Sequence, residues 1–146
     1  MPQDPPPADR VLHAAIATKL LHAWAQNRQQ VLAPLTLDLS RMESGPRALL
    51  LGMVAAAQAV GGKDGDRLRG ALRRMRAEGA AIPGPPDLFP LLHEIEAAAL
   101  GAQAYAAAAL LLDRRVAAER AFLDWIAARF ALPASAVAAL ARRYGR

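Results

Sequence analysis

The chain has no cysteine. That absence excludes a disulfide scaffold, a thiolate zinc site, an iron–sulfur cluster and a cysteine nucleophile. Aromatic residues are 5% of the sequence, and lysine occurs twice, at Lys19 and Lys63, against sixteen arginines. The formal charge of +5 therefore reflects an arginine and alanine bias spread over the whole chain, and it does not by itself point to nucleic acid. The arginines at 67–76 lack the interleaved aromatics and reading helix that a nucleic-acid surface needs.

Catalytic signatures are also missing. There is no Gly-x-Ser-x-Gly, phosphate loop or dinucleotide fingerprint, and Gly61-Gly62 reads as a helix stop. His13 and His22 point in different directions on a helix, and His93-Glu-Ile-Glu96 lacks the second histidine of a zinc helix. No catalytic residue or cofactor is expected. The N-terminus, Met1 to Arg10, has no basic start followed by an apolar run, so it does not read as a secretory signal. The apolar run Ala48 to Val60 is too short for a bilayer core of ~30 Å.

What is present favours helix: 36 alanines and 22 leucines in 146 residues. Apolar spacing of three and four predicts helices at about 9–26, 46–60, 66–78, 88–99, 102–112, 116–130 and 134–144. The expected fold is an all-α bundle of about seven helices, divided into a Pro-rich flexible tail at 1–8, an N-terminal helix and connector at 9–45, and a helical domain at 46–146. The helix at 46–60, apolar on nearly every side, is expected to be the surrounded one. An Ala-rich helix, a polar turn and a more amphipathic helix occur twice, at 53–75 and 103–126, as two hairpins that could pack about a pseudo-twofold axis. Phe122, Trp125 and Phe130 are assigned to the core.

Arg47-Ala-Leu-Leu-Leu-Gly-Met-Val-Ala-Ala-Ala-Gln-Ala-Val60, Ala104 to Asp113 and Ala117-Ala-Glu-Arg-Ala-Phe-Leu-Asp-Trp-Ile-Ala127 resemble the TerB-like (tellurite-resistance-type) helical domain. Within that group they are most similar to the YebE-like bacterial inner-membrane protein family of unknown function, over about 47–144. The family pattern Ile-Asp-x-Asp-x-x-x-Glu-Arg-x-Tyr/Phe-Leu is matched by Asp113, Glu119, Arg120, Phe122 and Leu123, with Arg115 at the second acidic position. The acidic first turn of the family reads Gly61-Gly-Lys-Asp-Gly-Asp-Arg-Leu68 here, and the aligned Glu falls on Arg67 or Leu68.

The resemblance implies a non-enzymatic, stress-associated interaction or scaffold module in the cytoplasm or peripherally at the inner membrane, with an unidentified protein partner. A second copy of the chain is a further candidate partner if the helix at 9–26 is amphipathic on two sides and supplies a dimer contact. It also implies a divalent cation at the acidic turns, for which the candidates are Asp64, Asp66, Asp113 and Glu119. The residues themselves offer another role, in which Asp64 or Asp66 caps a helix and Asp113 and Glu119 sit near the start of the next. Arg67, Arg114 and Arg115 place positive charge where a cation would have to sit. Glu119 falls between Ile126 and Phe130 on an apolar face, so it needs a partner, and an arginine or a backbone N–H is favoured over a metal.

Overall fold

The computed structural model describes residues 13–19, 35–61 and 64–145. Residues 13–19 are helical and fall in a unit, Met1–Pro34, distinct from Leu35–Arg146. The remainder of the expected helix at 9–26, with His22 and Trp24, and the Pro-rich tail lie outside the described residues. The second unit begins with a 3-10 turn at Leu39–Arg41, followed by α1 (Ser44–Gly61), α2 (Gly65–Arg74), α3 (Leu88–Ala97), α4 (Gly101–Leu111), α5 (Ala117–Arg129) and α6 (Ala134–Tyr144). No strand occurs among the described residues, and the protein is all-α.

The surrounded helix is α4, not α1. From Ala104 to Leu111 every side chain of α4 is buried, whereas α1 emerges at Ala59 and Val60. Apolar composition alone could not separate the two. The difference is positional, since α1, α2, α3, α5 and α6 all pack against α4. Alanine suits that place because its small side chain lets neighbouring backbones approach closely. Gly52 serves the same end in α1, where an added Cβ would meet Leu91 Cδ1 of α3 at 3.0 Å.

The connector belongs to the core, which moves the expected boundary at 45/46 to 34/35. Its alternation Leu35, Leu37, Leu39 turns Leu37 and Leu39 inward, and both are buried. Two hydrogen bonds fasten it: Leu39 N–H donates to the Met75 carbonyl at 2.8 Å, and the Tyr144 hydroxyl donates to the Leu35 carbonyl at 3.0 Å. The two hairpins, α1–α2 and α4–α5, cross-pack. α1 lies along α4 over the broadest contact, α2 also packs on α4, and α5 on α1, which is the pattern a pseudo-twofold axis gives.

Three helices end in the same left-handed cap without glycine. Arg76 (φ 54°), Ala99 (φ 56°) and Ala131 (φ 50°) follow α2, α3 and α5. In each, the next residue's N–H reaches back to the helix: Ala77 to Leu72 O, Leu100 to Ile95 O and Leu132 to Ala127 O, at 2.8, 3.0 and 2.9 Å. Leu100 and Ala77 are buried, so burial of the residue after the cap holds the strained one in place. A non-glycine residue in this region costs about 1–2 kcal/mol, and glycine's extra freedom in the unfolded chain takes back roughly 0.5–1 kcal/mol. Ala99→Gly and Ala131→Gly are each expected to stabilise by about 0.5–1 kcal/mol. A urea midpoint that stays put or falls would show that these caps carry no relievable strain.

Candidate functional site

The four candidate carboxylates divide into three settings. Asp64 is the N-cap of α2, its carboxylate accepting from the Asp66 and Arg67 N–H groups at 2.9 and 3.3 Å. Asp66 is exposed in the first turn and pairs with Arg69. Asp113 and Glu119 are buried, at 5% and 6% exposure, in the turn between α4 and α5 and in the first turn of α5. Among the described residues no group of three or more His, Asp or Glu side chains is placed to hold a metal ion.

What faces Asp113 and Glu119 is a guanidinium. Arg67 lies three residues after the Asp64 cap of α2, and Glu119 lies three residues after Val116, the cap of α5. The two occupy corresponding positions in the two hairpins and meet across them. Arg67 Nη1 stands 3.7 Å from Glu119 Oε2 and donates to the Leu111 carbonyl at 3.4 Å, while Nη2 stands 3.6 Å from Asp113 Oδ2. Glu119 Oε2 also accepts from the Asp113 N–H. Both partners expected for a carboxylate on that apolar face, an arginine and a backbone N–H, are thus present.

Asp113 is tied a second way. Its Oδ1 accepts from the Arg115 N–H at 2.9 Å, and its two oxygens accept from Arg115 Nε and Nη2 at 2.9–3.2 Å. The Arg115 side chain, its backbone N–H and Arg67 together hold the Asp113 carboxyl down at about 2, against an ordinary 3.8, and burial opposes them. Because the folded value is the lower, the stabilisation is whole above about pH 4 and is lost as pH falls through about 2. Acid unfolding of Asp113→Asn is expected to show a flatter stability profile between pH 4 and 2 than the parent; an equally steep profile would remove Asp113 as a source of the acid sensitivity. Asp38, lowered chiefly by the Ser40 hydroxyl, contributes in the same direction and stays intact in that variant.

A close approach of backbone completes the junction. A Cβ on Gly61, at the end of α1, would lie 2.2 Å from Leu112 Cδ2 and 3.1 Å from Glu119 Cδ. Gly61 is therefore more than a helix stop, because the carboxylate and Leu112 fill the space where a side chain would stand. Chemically, the junction ties the two hairpins by ion pairs from one guanidinium to two carboxylates and by a charge-assisted hydrogen bond to the Leu111 carbonyl. Both Asp113 oxygens and Glu119 Oε2 already accept from other donors.

A family model described as a protein of unknown function (DUF533) matches residues 10–144. The chain belongs to the DUF533 family. No curated protein and no solved structure matches it. The family match spans the whole Arg67–Asp113–Glu119 junction and both hairpins of this DUF533 protein. Among its described residues no helix is long and apolar enough to cross a membrane.

One surface feature of the DUF533 chain departs from the sequence expectation. Trp125 is not in the core: it is exposed on α5, packed edge-on against Phe89 at a centroid distance of 6.3 Å and tilted against half-buried Phe122, also at 6.3 Å. Phe89, in the first turn of α3, is 72% exposed. Sequence reasoning passed over Phe89, yet a signal existed. The buried stripe of α3 is Leu91, Leu92 and Ile95, and at 100° per residue Phe89 points away from it. Arg129 binds Glu96 at 2.5 Å, fixing α5 beside α3 so that the aromatic pair straddles both helices.

Proposed function

We propose that this DUF533 protein is a non-enzymatic interaction or scaffold module that engages a protein partner through the Phe89–Trp125 patch. The supporting observation is the exposed aromatic pair itself. Large aromatics are rarely left in water as a contiguous pair, and they are the residues that most often anchor interfaces. The resemblance of 47–144 to TerB-like domains supports a stress-linked setting, with the scaffold in peripheral contact with the inner membrane. The arginine-capped acidic junction supports a structural role for Asp113 and Glu119 rather than a cation-sensing one.

The test compares the tagged full-length chain with Phe89→Ala/Trp125→Ala. Neither residue is in the core, so the variant should keep its helical circular dichroism and unfold within about 1 kcal/mol of the parent. Proteins co-purified from the chain's own cell are expected to be lost from the variant. Self-association is read in parallel by analytical ultracentrifugation. Equal recovery of partners and equal sedimentation for both proteins would overturn the proposal.

A further inference from the structure

A second site lies where the connector, the end of α2 and the end of α6 meet. These segments enclose an open cleft of about 420 Å³ lined by Arg41, Arg74, Arg76 and Arg143 with Asp38 and Tyr144. Its walls are fixed by the Leu39–Met75 and Tyr144–Leu35 hydrogen bonds, so the cleft is built into the fold. Its volume is in the range of small-molecule sites.

Charge is what distinguishes it. Four guanidiniums face one carboxylate among the lining residues, and that carboxylate is shared: Arg41 Nε and Arg76 Nε stand 3.6 and 3.9 Å from the same oxygen, Asp38 Oδ2. Among the described residues, Arg74 and Arg143 pair with no acid. Both lie over the Tyr144 ring, at 5.6 and 5.4 Å, and Arg74 Nη2 donates to the Arg143 carbonyl at 2.7 Å. Carbonyl ends of α2 and α6 favour basic residues nearby and account for Arg74 and Arg143 being there. They do not account for Arg41, on the connector, or for Arg76, which the left-handed cap of α2 projects beyond the helix end.

We infer that this cleft binds a phosphate-bearing ligand. Guanidinium forks match phosphate oxygens in pairs, and a multiply charged phosphate compensates the cationic excess better than a single carboxylate does. The phosphate can belong to a soluble phosphoester or diphosphate, or to a lipid headgroup, since either presents the same oxygens.

The experiment is calorimetric titration of the full chain with inorganic pyrophosphate at physiological salt. Variants are Arg41→Gln/Arg76→Gln and a charge-matched control on exposed arginines outside the cleft, Arg47→Gln/Arg120→Gln. Saturable binding is expected, weakened tenfold or more in the cleft variant and changed less than twofold in the control. Equal weakening in both would overturn the site as nonspecific electrostatics, as would binding seen only at low salt. Citrate binding as tight as pyrophosphate would overturn the phosphate assignment. Co-sedimentation with phosphatidylcholine vesicles containing phosphatidic acid, lost in the cleft variant, assigns the phosphate to a headgroup; pyrophosphate binding without co-sedimentation assigns it to a soluble ligand. Absence of both overturns the proposal.

Discussion

Replacing Arg67 with alanine is expected to destabilise the protein by about 2–4 kcal/mol, because it removes the cation shared by two buried carboxylates. Gross attraction between opposite charges near 4 Å is ~4 kcal/mol at the effective dielectric of a partly buried site, and the cost of desolvating the three groups offsets much of it. The loss on truncation is larger than the pair's net contribution, because Glu119 is left buried with only the Asp113 N–H. Arg67→Lys keeps the charge but cannot reach Leu111 O, Asp113 and Glu119 together from a fork, so an intermediate loss is expected. Combining Arg67→Met with Glu119→Gln should cost less than the two single changes added, since each removes the reason for the other's penalty. Urea denaturation measures all five variants, the two single changes of the cycle included. A loss below about 1 kcal/mol for Arg67→Ala, with an additive double variant, would mean that the turns are held by their backbone caps alone.

Tyr105→Ala should be comparably severe, about 3–5 kcal/mol, through a different cause. Tyr105 is wholly buried in α4, and removing its ring opens a cavity beside the helix that all the others pack against. Its hydroxyl is a separate matter. Arg114 Nη1 donates to it at 2.9 Å while Nη2 bonds Asp124 at 3.1 Å, and burial raises the phenol's pKa. Tyr105→Phe keeps the ring and leaves Arg114 its Asp124 partner, so only about 0.5–1.5 kcal/mol should be lost. Similar losses for the two variants would place the energy in the hydroxyl and refute the cavity account.

The helices were legible because their cause is local. Alanine and leucine at spacings of three and four, broken by Gly-Asp and Pro-Gly clusters, mark six of them in the second unit to within a few residues. A cap at Asp64 or Asp66 was legible for the same reason, since such bonds reach only two and three residues ahead, and the fold selects Asp64. The α1/α4 exchange was not, because being surrounded depends on where five other helices lie, and two Ala-rich stretches look alike in one dimension. Trp125 shows the reverse error: an aromatic on an amphipathic helix defaults to the core, and only the position of α3 reveals that its neighbour is exposed Phe89. At the junction, the arginine and the need of Glu119 for a partner were both visible. That Arg67 and Glu119 occupy matching positions in two hairpins, and so confront each other, required the fold.

The alanine content of α4 has a thermodynamic side as well. Ala102, Ala104 and Ala106 to Ala109 have no rotamers to lose, so burying them costs backbone entropy alone, whereas burying a leucine or methionine adds roughly 0.5–2 kcal/mol of side-chain entropy per residue. The central helix therefore holds six residues of eleven that add no side-chain entropy cost on burial. With neighbours on all its faces, its amides should open only when the whole bundle does, and hydrogen exchange there should report the global unfolding free energy.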